Sequence, residues 1–189
     1  MKTLLALVLA LTPSLASAHL GIGDADGIAH GLMHPVSGID HVLAMVAVGL
    51  LAAHLRGRAL WLVPLSFVGM MACGGVLGTA GINLPYVEIG VGLSVVVLGI
   101  AIAAGANPPV AVAMALVGLF AIFHGYAHGA EMPETASGLG YGLGFIFTTA
   151  LLHAIGIGAG LLVGREQRVT QFAGSAMALA GIGILGGLI

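Results

Sequence analysis

The chain has 189 residues, of which 59% are hydrophobic and only 6% are charged, and its mean hydropathy is +1.15. A soluble globular domain carries about 25% charged residues because its surface faces water, so this composition excludes a soluble enzyme. The 5 Lys and Arg residues are too few for the basic surface that a nucleic-acid partner requires. The main solvent of this protein is therefore expected to be lipid.

The N-terminal segment 1–18 has the pattern of a cleavable signal peptide. Lys2 precedes an apolar run over 4–11, and Ala-Ser-Ala at 16–18 is the small-x-small pattern that signal peptidase accepts. An uncleaved first helix is the less favoured alternative, because the apolar run is shorter than the roughly 20 residues that a membrane span needs. We expect cleavage to leave His19 as the mature N-terminus.

Six apolar segments in the rest of the chain are long enough to cross a bilayer. They run at about 36–55, 60–80, 84–105, 109–127, 138–163 and 170–189, and short breaks rich in Gly, Pro or charge separate them. No stretch remains for a soluble domain. The sequence therefore predicts an all-α polytopic membrane helix bundle, in which 19–189 form a single domain of six transmembrane helices.

The basic residues predict how the bundle is oriented. Arg56 and Arg58 follow the first segment, and Arg165 and Arg168 follow the fifth. An arrangement with both termini outside places these four residues in cytoplasmic loops, as the positive-inside rule favours. We expect an N-out, C-out, multi-pass protein of the bacterial inner membrane.

Placing a charged side chain at the centre of a membrane helix is unfavourable by about 2.5–3.5 kcal/mol. The few ionisable residues of this chain are therefore its most informative positions. A first cluster, His34, Asp40 and His41, lies at the entry to the first segment, where Pro35 suits a helix start. Seven residues make two helical turns, so we expect His34 and His41 to share a helix face. Asp40 and His41 point about 100° apart, so we expect one to bind an ion directly and the other to orient it by accepting the imidazole N–H.

A second cluster closes the fourth segment. His124 and His128 stand at positions i and i+4, and Glu131 follows at a further i+3, so all three project from one stripe of a helix. This spacing lets both imidazoles reach one metal ion. Gly125 and Gly129 leave room beside the histidines for a partner helix or for an ion.

The residue types of these clusters indicate the class of ion. Imidazoles with carboxylates suit borderline divalent ions such as Ni(II), Co(II) or Zn(II). Cys73 is the only cysteine, so a thiolate site is excluded. The His-Glu-x-x-His string of a catalytic zinc helix is absent from the sequence. A polar network that only joins helices is the structural alternative for both clusters.

The two clusters together resemble the paired signature of the HupE/UreJ family. The matching residues are His34-Pro35-x-x-Gly38-x-Asp40-His41 and Phe123-His124-Gly125-x-Ala127-His128-Gly129-x-Glu131-x-Pro133, in the same order. Members are secondary permeases for nickel, in some cases cobalt, associated with hydrogenase or urease. The resemblance therefore implies a transporter of nickel or cobalt, not an enzyme, with a link to hydrogenase or urease maturation. The likeness covers the whole chain.

Three further residues are candidates along the ion path. The resemblance implies that Glu88, near the outer end of the third segment, and His153, in the fifth, belong to it. Hydrogen bonds to neighbouring helices are the alternative role for both. His19 can bind through its imidazole and its freed amine together, or it is a mobile terminus.

Two other functions stay open at this point. His41 and His54 stand 13 residues apart on one span, a separation that fits axial ligands of stacked haems in an electron carrier. A metal-delivery accessory that itself moves no ion is the other alternative. Ligand types set the class of ion, whereas the geometry of the site and the supply of metal set which member of that class is bound.

Overall fold

The computed structural model describes residues 24–132, 137–163 and 166–189, which form helices and connecting turns without strands. The predicted signal peptide and His19 lie outside the described residues. The helices are α1 (Asp24–Ser37), α2 (Ile39–Leu55), α3 (Ala59–Thr79), α4 (Val87–Ala103), α5 (Val110–Ala130), α6 (Gly138–Val163) and α7 (Gln167–Leu185). The all-α class predicted from the sequence is confirmed.

The helices α2 to α7 correspond to the six predicted apolar segments. Four of them, α3, α5, α6 and α7, are long and apolar enough to cross a membrane, and α1 with α2 makes a fifth span if the bent pair is counted as one. At 17 residues, α4 rises about 26 Å, somewhat less than a hydrocarbon core of roughly 30 Å. The helices thus agree with a multi-pass membrane protein, while the number six stays a prediction.

One expectation about the first segment is wrong. The chain does not start a continuous helix at Pro35, which lies inside the final turns of α1. Gly38 is extended, with φ −106° and ψ 123°, and the helix axis turns by 82° between α1 and α2. His34 and His41 therefore lie on different helices and do not share a helix face.

Packing against α6 explains why residues 24–37 form a helix. Gly31 lies directly against the backbone of Tyr141, where a side chain would collide with the carbonyl group. The Thr148 hydroxyl donates to the Leu32 carbonyl oxygen at 2.9 Å. These contacts hold α1 against a long helix, and the exposed His30 lies on α1.

The centre of the bundle is α2, which is buried from Ala44 to Ala53 except at Val46. Glycines bring its neighbours close: a side chain at Gly156 of α6 would collide with the backbone at Val46 and Gly49. Without a hydrophobic driving force in lipid, helices associate by such close contacts. The surrounding helices turn large apolar side chains outward, as expected when the solvent is lipid.

Candidate metal centre

The two predicted clusters meet at one end of the bundle. His34 Nε2 on α1 lies 3.2 Å from Glu131 Oε2, at the end of α5. One ligand atom from each of His34, His128 and Glu131 lies within 4.8 Å of the other two, a spacing that suits a single metal ion. We call these three residues the outer triad.

The imidazole of His128 is the centre of the site. Its ring centroid lies 4.6 Å from that of His34 and 4.3 Å from that of His41, and the Phe145 ring packs on it at 4.0 Å. His128 is 4% exposed, and neither of its ring nitrogens has a hydrogen-bond partner among the described residues. Buried nitrogens without a partner are unfavourable, so His128 is suited to accept a ligand.

Asp40 and His41 form the pair that their adjacency suggested. Asp40 Oδ1 lies 2.8 Å from His41 Nδ1 and accepts the His41 backbone N–H at 2.7 Å. A side chain at Gly38 would collide with Asp40 Oδ1 and press on His41 Nδ1, so a glycine here leaves room for the pair. This carboxylate orients the His41 ring, and His41 Nε2 is left buried without a hydrogen-bond partner in the described ranges.

His124 lies one turn deeper than His128 on α5 and is fully buried. Its ring centroid is 4.7 Å from that of His41, and its Nε2 lies 2.8 Å from the Ser94 hydroxyl oxygen on α4. His124 and His128 thus lie one turn apart, as helical spacing predicts, while Glu131 directly follows the last residue of α5. Glu131 is at the open end, and His124 is enclosed.

The ring of Phe67 on α3 lies beside both His124 and His153, which is on α6. The Phe67 centroid lies 5.6 Å from that of His124 and 5.1 Å from that of His153. His153 is 2% exposed, and both of its nitrogens lack hydrogen-bond partners within the described part of the chain. His153 is therefore a deep candidate ligand that does not touch the outer residues.

Glu88 also lies at the open end of the site, which we call the rim. With the outer triad, Asp40 and His41, it lines a cavity of about 190 Å³, and its side chain is exposed. His54 lies at the other end of α2, in a second cavity of about 240 Å³ with Arg56 and the first turn of α7. The structure thus gathers the predicted site residues within the described ranges at one end of the bundle, except His153.

Sequence reasoning missed two residues that touch the imidazoles. Phe67 lies within an apolar stretch and carries no signal that distinguishes it from lipid-facing residues. Ser94 is the one hydroxyl residue of α4, and a polar side chain in the apolar stretch after Glu88 was the available signal.

These features define a class: a multi-helix membrane protein with buried imidazoles and adjacent carboxylates at one end of its bundle, residue types that suit a divalent metal ion. The family model described as HupE / UreJ protein matches residues 6–184. The chain is also 50% identical over 187 residues to Protein HupE of Rhizobium leguminosarum bv. viciae, an alignment that covers 98% of this chain and 96% of that protein. No solved structure matches the chain.

The chain belongs to the HupE/UreJ family, as the two motifs predicted. Proteins of this family are permeases or accessory proteins, which agrees with the prediction that the chain is not an enzyme.

Proposed function

We propose that this protein carries a divalent transition-metal ion, nickel in the first place and cobalt as the alternative, from the periplasm to the cytoplasm. The observation that carries the proposal is the outer triad, whose ligand atoms from α1 and α5 converge within 4.8 Å. Imidazole and carboxylate ligands favour such borderline ions over Mg²⁺ or Ca²⁺, which prefer sites made of oxygen alone. The family resemblance links this uptake to the maturation of hydrogenase or urease.

The exposure of the site supports entry from the open end. The side chains of His34 and Glu131 are 30% and 60% exposed, whereas His128 beneath them is buried. An incoming ion can therefore exchange water for ligands in steps, first at the rim with Glu88 and then at His128. The acidic rim also raises the local concentration of cations.

Further ligands mark a path inward. His41 and His124 follow His128, and their unpartnered nitrogens are buried. The Phe67 ring lies beside His124 and also beside His153, the next imidazole, on α6. In the proposed mechanism, movement of Phe67 is the step that connects the outer imidazoles with the deep one.

The opposite end of the bundle supports the N-out, C-out orientation. Arg56, after α2, and the first turn of α7 line the same cavity. Arg56 and Arg168, in the first turn of α7, thus lie at the end away from the acidic rim, which suits a cytoplasmic face, whereas Arg165 lies outside the described residues. Six spans follow if α4 crosses with a slightly thinned bilayer around it.

The haem alternative fits the geometry less well. Imidazole rings lie 4.3 and 4.7 Å from the His41 ring and occupy the space that a porphyrin would need on that residue. His54 lies at the opposite end of α2, in a polar cavity of about 240 Å³. The metal-delivery accessory is the main alternative to a permease. Such a protein needs the same ligands but no route for the ion across the membrane.

Uptake of radiolabelled nickel into proteoliposomes that contain the full chain tests the proposal. We expect accumulation above that of protein-free liposomes, and its loss in His128→Ala. The matched control is His30→Ala, which removes an exposed imidazole of α1 outside the site. Nickel binding without accumulation inside the liposomes would favour the accessory, and no binding at all would refute a metal-handling role.

A further inference from the structure

Ser94 lies inside the bundle against the imidazole of His124. Its side chain has 0% of its surface exposed, and its hydroxyl oxygen lies 2.8 Å from His124 Nε2. The same oxygen lies 2.6 Å from the backbone carbonyl oxygen of Val91, one turn earlier on α4. Ser94 thus has two polar neighbours in the apolar stretch of α4 that follows Glu88.

These two contacts decide which nitrogen of His124 carries the hydrogen. A serine hydroxyl has one hydrogen to donate, and two oxygens at 2.6 Å need a hydrogen between them. That hydrogen points to the Val91 carbonyl, so the Ser94 oxygen accepts the N–H of His124 Nε2. In a neutral imidazole the other nitrogen is then the acceptor, and His124 Nδ1 holds a lone pair.

The lone pair on His124 Nδ1 is buried and has no hydrogen-bond partner among the residues that the structure describes. The neighbouring His41 ring is arranged in the same way. The Asp40 carboxylate accepts from its Nδ1–H, which leaves Nε2 as a second buried acceptor without a partner. Two acceptors cannot satisfy each other, whereas a cation satisfies both.

We infer that Ser94 is a positioning residue that holds His124 in the Nε2–H tautomer and thereby presents Nδ1 to the divalent ion at an inner binding position shared with His41. This inference rests on the proposed function and adds a residue to it. Asp40 and Ser94 have the same role toward two different imidazoles: each accepts one N–H and frees the other nitrogen. The inner position receives the ion from the outer triad.

The tautomer can be measured without any metal. In ¹⁵N-histidine-labelled protein in lipid, the signal that disappears in His124→Gln identifies residue 124, and its nitrogen shifts report the tautomer. We expect Nε2–H in the wild type and a mixed or Nδ1–H signal in Ser94→Ala. An Nδ1–H signal in the wild type, or an unchanged signal in Ser94→Ala, would overturn the inference.

Nickel titration of the same purified proteins tests the consequence for the ion. Loss of an outer-shell partner typically lowers metal affinity about 10–100-fold, and we expect this loss in Ser94→Ala. Ser66→Ala is the matched control, because its hydroxyl donates to the Met114 carbonyl oxygen at 3.0 Å and touches no imidazole. Wild-type nickel affinity in Ser94→Ala, or equal losses in both variants, would contradict the positioning role. If the wild type bound no nickel, the proposed function would fail, while the tautomer measurement would still decide what Ser94 does to His124.

Discussion

His34 Nε2 and Glu131 Oε2 lie 3.2 Å apart, although 97 positions separate the two residues in the chain. One comes from α1 and the other from the end of α5, so the contact forms only when the bundle has assembled. Both side chains are accessible. A cation can therefore replace this hydrogen bond from outside without separating the helices.

The substitution Glu131→Gln should weaken nickel binding strongly. It keeps the size of the side chain but removes a negative charge. That charge offsets the unfavourable free energy of removing water from the bound ion. We expect a loss at least as large as the about 10–100-fold that an outer-shell change causes. Isothermal titration of the purified protein with nickel chloride measures it.

The control for this change is Glu166→Gln, which removes the acid that precedes α7 at the opposite end of the bundle. It should leave the affinity unchanged. A similar loss in both variants would mean that the net charge of the protein, and not the outer triad, decides binding.

Two substitutions at Asp40 should differ in effect. Asp40→Asn keeps an oxygen that can accept the His41 Nδ1–H, whereas Asp40→Ala leaves that N–H without its acceptor. If Asp40 acts by orienting His41, Asp40→Ala loses about 10–100-fold in nickel uptake and Asp40→Asn retains a larger part of it. Equal loss in both variants would instead indicate that the carboxylate binds the ion directly.

Gly156→Ala should destabilise the protein by about 1–3 kcal/mol, because the added methyl group meets the backbone of α2 at Val46 and Gly49. Thermal unfolding in detergent measures the effect. Gly158→Ala on the same helix is the control, since no atom lies within 4 Å of a methyl group at that position. An unchanged melting temperature in Gly156→Ala would contradict the close contact of α2 and α6.

The orientation predicts opposite labelling of two asparagines. In a Cys73→Ser background, Asn83→Cys between α3 and α4 should react with a membrane-impermeant maleimide in spheroplasts. Asn107→Cys between α4 and α5 should react only after permeabilisation. The reverse result would invert the topology, and labelling of both positions in intact spheroplasts would show that α4 does not cross the membrane.

The second cluster shows how far local periodicity reaches. His124 and His128 do lie one turn apart on α5, and Glu131 directly follows its last residue, because helical geometry depends only on neighbouring residues. In the first cluster, the prediction from local periodicity fails. Two helical turns from His34 to His41 were expected, but the chain bends at Gly38, because α1 packs on α6 through Gly31.

The sequence by itself determined that the chain is rich in apolar helices, where those helices lie, and which two motifs hold the candidate ligands, since hydropathy and helical spacing are properties of neighbouring residues. Only the tertiary structure decided that His34 and His41 approach His128 from two helices, that Phe67 lies beside both His124 and His153, and that Ser94 lies beside His124. These contacts join residues far apart in the chain, and they depend on how closely the glycines let the helices approach, which no local pattern records.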